Sequence, residues 1–260
     1  MTVRAVLFDF GHTLVDFART EEALRVAYGV IRERLTEWVE DRAPPEVDEL
    51  VERIAGAVDD MVGRSYMERR LEELDQVALF QQAFAAIGYE LPRELLVEVA
   101  ELDHDSFSRS LTAPSSTLET LERLRAMGLR LGLISNLSLF PHKVREDLEQ
   151  LGIAPYLDAA VFSSEVGFRK PDARIFLHTL NALGESPADA VFVGDRLNDD
   201  VVGAQAVGMR TILTREFRVE EPSDVRPDAV VEKLAEVPDV IASWEADQPP
   251  TGSARYDPSK

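Results

Sequence analysis

Val3-Arg4-Ala5-Val6-Leu7-Phe8-Asp9-Phe10-Gly11-His12-Thr13-Leu14 decides how the chain is read. The apolar run through Phe8 predicts a buried strand, and Gly11 marks where it gives way to a turn. A carboxylate at the carboxyl end of such a strand lies where α/β sheets bind ligands. Two later runs end in the same way: Arg130-Leu131-Gly132-Leu133-Ile134 leads into Ser135-Asn136, and Ala190-Val191-Phe192-Val193 into Gly194-Asp195. Taken singly, Asp9, Ser135 and Asp195 could each be a turn or cap residue. Their joint placement with Lys170 favours a functional site.

Outward from this stretch the pattern changes twice. Leu24, Ala27, Ile31, Leu35 and Trp38 recur at helical spacing within 21–40, and Pro44-Pro45 ends that run. Val47, Leu50, Val51, Ile54 and Val58 restart a helix. A third is expected through Leu71, Leu74, Leu79 and Ile87, closed by Gly88, and a fourth from Pro92 through Leu102. After Pro114, helices and short apolar strands alternate: a helix over 118–127, one over 143–151, a strand at 159–162, a helix over 175–183, one over 200–207 and strands at 210–213 and 229–231. A helix at 234–241 completes the series. Such alternation predicts a Rossmann-like parallel sheet with helices on both faces. The expected organisation is an α/β core from 1–16 and 111–246, an all-helical domain at 17–110 inserted after the first strand, and a disordered tail at 247–260.

Composition narrows the function. The net charge of −20 over 260 residues argues against nucleic acid as a partner, because phosphate backbones require basic patches. No apolar stretch approaches the roughly 20 residues that span a membrane. The amino terminus lacks the basic-then-apolar pattern of a secretion signal, and the absence of cysteine excludes disulfides, thiolate metal sites and cysteine nucleophiles. A cytoplasmic protein, monomer or homodimer, is expected. The four histidines show no metal-ligand spacing.

Asp9, Ser135-Asn136, Lys170-Pro171 and Gly194-Asp195-Arg196-Leu197-Asn198-Asp199-Asp200, in this order, resemble the haloacid dehalogenase (HAD) superfamily. The setting Gly167-Phe168-Arg169-Lys170-Pro171-Asp172 is similar to the family's spelling around its lysine. The resemblance implies that Asp9 attacks phosphorus and forms an aspartyl-phosphate that water cleaves. It implies Mg2+ held by Asp9, the Gly11 carbonyl and Asp195, with Asp200 (rather than Asp199) as a further ligand or water-orienting group. It assigns the phosphoryl oxygens to Ser135 and the amides after it, orientation of nucleophile or phosphate to Asn136, and charge stabilisation to Lys170. The inserted helices match the family's alpha-helical cap, in which Arg64, Arg69 and Arg70 are candidate anion binders against the alternative of solvated helix-face charges. A small phosphorylated metabolite is the implied substrate.

One part of the pattern is broken. The family's phosphatases carry a second Asp two residues after the nucleophile, a general acid and base worth roughly 10²–10⁴ in rate; this chain has Gly11 there. A weak or specialised phosphatase, a 2-haloacid dehalogenase-like hydrolase whose halide needs no proton, and a non-catalytic binding protein all remain open. Residues 17–113 contain no lysine, which argues against the Schiff-base route of phosphonoacetaldehyde hydrolases. Asp195, Asp199 and Asp200 at metal spacing favour phosphoryl chemistry. His12, beside the nucleophile, is expected to pack the loop or bond the backbone, with a surrogate acid as the alternative; Thr13 and Asp16 are expected to hold the same loop in shape.

Overall fold

The computed structural model describes residues 2–39, 42–138, 140–221 and 223–246. The first strand, β1 (Ala5–Phe8), lies at the centre of a sheet with β2 (Arg130–Ser135) and β3 (Ala159–Phe162) on one side. On the other lie β4 (Ala190–Gly194), β5 (Arg210–Thr214) and β6 (Ala229–Val231). Every pairing among these strands is parallel. Alternate residues serve opposite faces, as the pleat demands. Val6, Phe8, Leu131, Leu133, Val191 and Val193 share a cluster with α6 (Ser115–Ala126), α7 (Pro141–Gln150) and α11 (Val237–Ala246). Ala5, Leu7, Ile134 and Phe192 pack with α9 (Ala173–Leu183) and α10 (Gly203–Ala206) instead. Strands covered on both faces read as unbroken apolar runs, which is why their positions were legible.

Between β1 and α6 the chain forms a helical insert with its own apolar core. It contains α1 (Glu21–Trp38), α2 (Val47–Leu50), α3 (Gly56–Met67), α4 (Gln76–Ala86) and α5 (Arg93–Ser108). The α2 and α3 helices are joined by a π-helical turn, Val51–Ala55. Thr20 caps α1 by accepting from Ala23 N at 3.1 Å, and Glu21 and Glu22 complement the positive end of its dipole. The two linkers meet as paired chain: Asp16 N donates to the Thr112 carbonyl and Thr112 N to that of Asp16, both at 2.9 Å.

The expected third helix is shorter than its apolar spacing suggested. It begins only at Gln76, where Asp75 caps it, whereas Glu72 lies in an antiparallel bridge with Phe168. Leu71 and Leu74 belong to extended chain that docks on the core, and tertiary pairing overrides helical periodicity there. The helix expected at 200–207 starts earlier, as a π-helical turn at Leu197–Val202 before α10. The expectation for 247–260 falls outside the described residues.

Candidate active site

The parallel register delivers the polar residues to one end of the sheet. Phe8 is level with Leu133 on one side and Val193 on the other, so Asp9, Ser135 and Asp195 emerge together at the carboxyl ends of adjacent strands. The loop after α8 (Ser163–Val166) brings Lys170 beneath them. Asp9, Ser135, Lys170, Asp195 and Asp200 are all buried.

Lys170 is the centre of the charge arrangement. Its Nζ donates to Asp9 Oδ1 at 2.6 Å and to Asp200 Oδ1 at 2.7 Å. Burial alone would favour the neutral amine, yet Asp200 and Asp9 outweigh it and hold the ammonium well above its ordinary range. Asp9, Asp195 and Asp200 place carboxylate oxygens within 4.8 Å of one another. Burial and then repulsion from Asp9 and Asp200 push the Asp195 carboxyl up to about 8. Burial likewise raises Asp200, to about 6, although Lys170 pulls the other way. Arg218 Nη1 donates to Asp195 Oδ2 at 2.7 Å. Three carboxylates therefore face two cations.

Such a donor set fits a hard divalent cation: all oxygen, buried, and carrying more negative charge than the protein neutralises. Asp9 Oδ2 and Asp195 Oδ1 are the oxygens turned away from Lys170 and Arg218, and Thr13 Oγ1 lies only 3.4 and 3.5 Å from them. Both oxygens of Asp200 are engaged, Oδ1 by Lys170 and Oδ2 by Arg196 N at 2.9 Å. Gly194 permits that approach, because a Cβ there would collide with the Asp200 carboxyl. Asp199 stands apart, beside Asn198 and 3.9 Å from Arg196.

Asn136 lines the cavity and also grips the chain at Lys170. Its Oδ1 accepts from Lys170 N at 2.7 Å and its Nδ2 donates to the Lys170 carbonyl at 3.0 Å. Both ends of the amide clamp the lysine backbone. Thr13 sits under the carboxylates, and Asp16 accepts from Phe17 N at 3.0 Å.

Above the carboxylates lies a cavity of about 280 Å³. Asp9, Gly11, Ser135 and Lys170 form its core side, and Val62, Tyr66 and Phe107 reach in from the insert. Arg64, Arg69 and Arg70 are exposed and do not line it; Arg70 pairs with Glu68 instead. Among the described residues, the Lys and Arg side chains that line it are Lys170, Arg196 and Arg218. Arg218 carries no sequence signature, since it arrives on a loop after β5 with no motif around it.

The place of the missing second carboxylate is filled. A Cβ on Gly11 would lie 2.7 Å from Phe17 Cε1. Phe17 stacks on His12 at 4.6 Å and meets Phe107 edge-on at 6.1 Å. His12 has a left-handed backbone, φ 59°, and its Nδ1 lies 3.1 Å from Asp16 Oδ1. Burial, followed by the nearby Arg218 charge, lowers its pKa. Loop packing accounts for all of these contacts.

Residues 3–208 match the haloacid dehalogenase-like hydrolases. The chain belongs to this family. Among its relatives is the glyceraldehyde 3-phosphate phosphatase of Methanopyrus kandleri, 30% identical over 246 residues that cover 92% of this chain and 97% of that one. A HAD phosphatase from Thermococcus onnurineus superposes with a TM-score of 0.59 at 28% identity, covering 92% of this chain and 98% of its own. A 2-haloacid dehalogenase from Pseudomonas syringae pv. Tomato DC3000 superposes with a TM-score of 0.65 at 27% identity, covering 94% and 100%. This HAD-like hydrolase thus stands near named phosphatases and a named dehalogenase alike.

Proposed function

We propose that this HAD-like hydrolase is a magnesium-dependent phosphatase of a small phosphorylated metabolite. The observation that carries the reading is the cluster of Asp9, Asp195 and Asp200 around Lys170 at the floor of the cavity. A halide needs neither a metal nor a triple carboxylate to depart, so the cluster favours phosphoryl transfer over dehalogenation. The relatives named as phosphatases support the same choice.

In this reading Asp9 is the nucleophile, and Lys170 holds its Oδ1 while balancing charge on the transferring group. Ser135 and the Asn136 backbone amide bind the phosphoryl oxygens, the Leu137 amide being taken by Ser163 Oγ. Asp9, the Gly11 carbonyl and Asp195 would hold Mg2+, with Asp200 as a further acidic neighbour, and the ion would screen the repulsion between carboxylate and phosphate; Asp200 orients Lys170. The helical insert acts as the cap that shuts out solvent. With Phe17 beside Gly11, position 11 supplies no acid for the leaving oxygen, so substrates with good leaving groups are favoured.

A panel of phosphate monoesters, acyl phosphates and 2-haloacids, assayed with magnesium and with chelator, tests the assignment. Magnesium-dependent phosphate release is expected. Chelator-resistant halide release would make the protein a dehalogenase, and silence with a thermal shift by a phosphorylated ligand would make it a binding protein.

A further inference from the structure

Residues 71–74 leave the helical insert as extended chain and run beside 167–169. Arg169 N donates to the Leu71 carbonyl at 2.7 Å, and Glu73 N to that of Gly167 at 3.1 Å. Into this seam Arg169 turns a guanidinium that is almost wholly enclosed, the residue being 1% exposed. Its Nε and Nη2 donate to Glu73 Oε1 at 2.7 and 2.5 Å, and its Nη1 to Ser65 Oγ at 2.7 Å. The other Glu73 oxygen accepts from Ser163 Oγ. Ser163 Oγ in turn accepts from Leu137 N at 2.7 Å. Leu137 follows Asn136, whose amide clamps the backbone of Lys170, the residue next to Arg169.

These contacts close a ring: Glu73, Ser163, Leu137, Asn136, Lys170, Arg169 and back to Glu73. We propose that Glu73 is a positioning residue for the reaction, a carboxylate of the insert that sets the 135–137 loop against the Lys170 loop. Docking of the insert and assembly of the catalytic loops are then one event. This rests on the reading of Lys170 as the catalytic charge.

The physical reason lies in the guanidinium. A buried arginine cannot stand without its counter-charge, and Glu73 is the carboxylate that bonds it. If the 71–74 segment lifts, Arg169 must move toward water, and Lys170 and its contact to Asp9 move with it. A displacement of about 1 Å at a charge that acts on the transition state costs roughly 10²-fold in rate.

An ordinary structural ion pair would affect stability and leave turnover alone, so the test separates the two. Glu73→Leu combined with Arg169→Met replaces the pair with apolar volume, a change that buried pairs often tolerate without loss of stability. Three quantities would be read on this double variant: thermal unfolding, kcat and KM for p-nitrophenyl phosphate with magnesium, and hydrogen exchange over 135–138 and 167–172. We expect a melting temperature near wild type, kcat lower by roughly 10²-fold with KM much less affected, and faster exchange at Leu137 and Lys170 while α4 and α5 keep their protection. Ser163→Ala, which spares the Arg169–Glu73 pair, should loosen Leu137 alone and lower kcat less. A folded double variant with wild-type kcat, or with both loops still protected, would overturn the proposal. Should wild type release no phosphate, the exchange result decides alone: loosened loops support the ring, and the phosphatase reading fails separately. If the double variant does not fold, Ser163→Ala decides by whether Leu137 loosens.

Discussion

Restoring a carboxylate at Gly11 tests whether its absence limits the chemistry, and the structure shows what stands in the way. Gly11 is not among the residues with positive φ, so the backbone accepts Asp there. The obstacle is Phe17, whose Cε1 would lie 2.7 Å and whose Cζ 3.5 Å from the new Cβ. Making room means breaking its stack on His12 and its edge contact with Phe107. At about 0.5–1.5 kcal/mol per aromatic contact, Gly11→Asp alone should cost about 1–3 kcal/mol. That lowers the melting temperature by roughly 2–4 °C per kcal/mol. Adding Phe17→Ala removes the collision and gives the carboxylate a place facing the cavity. Phosphate release would be followed for glycerol phosphate and p-nitrophenyl phosphate, with magnesium. An alkoxide needs a proton to leave and nitrophenolate hardly does, so the double variant should gain about 10- to 100-fold on the first substrate and little on the second. The gain stays at the low end because no neighbours tune the new acid. A folded double variant with an unchanged alkyl-to-aryl ratio would refute the reasoning and direct attention to His12 as surrogate acid.

Two further outcomes follow from the same geometry. Lys170→Met strips Asp9 and Asp200 of their shared ammonium; breaking a buried pair of this kind costs about 3–5 kcal/mol, to be read by urea unfolding in chelator, and phosphate release should be lost. The pH dependence follows from Asp195 and Asp200, whose carboxyls burial raises to about 8 and about 6. Raised carboxyls contribute stability that is complete below about pH 4 and is lost as pH climbs through those values. Metal-free protein should therefore melt at falling temperature between about pH 4 and 8, and magnesium should oppose the fall, so that the gap between the two melting curves widens with pH. A gap that narrows or stays constant would count against the metal assignment.

The inner strands were legible because they are buried on both faces and spelled as apolar runs; the more exposed edge strands at 159–162 and 229–231 still lie where the alternation of helix and strand placed them. Asp9, Ser135, Lys170, Asp195 and Asp200 meet in space as their spelling implied. Other features depend on tertiary partners that periodicity does not report. Leu71 and Leu74 carry helical spacing, but the backbone beside them pairs with 167–169. The burial of Arg169 depends on Glu73, 96 residues away, being set against it. Arg218 reaches Asp195 from a distant loop, and Phe17 occupies the space beside Gly11 only because the linker folds back over the nucleophile.

Attack of Asp9 on phosphorus would leave its mark on the residue itself, and that modification is the most direct test. The protein would be mixed with magnesium and an acyl or aryl phosphate, quenched in acid within a turnover, digested, and examined by mass spectrometry over 3–14. A phosphoryl group on Asp9, absent from Asp9→Asn and from chelator-treated enzyme, is the predicted result. Phosphate release by an enzyme whose Asp9 stays unmodified at every quench time, or release sustained by Asp9→Asn, would contradict it.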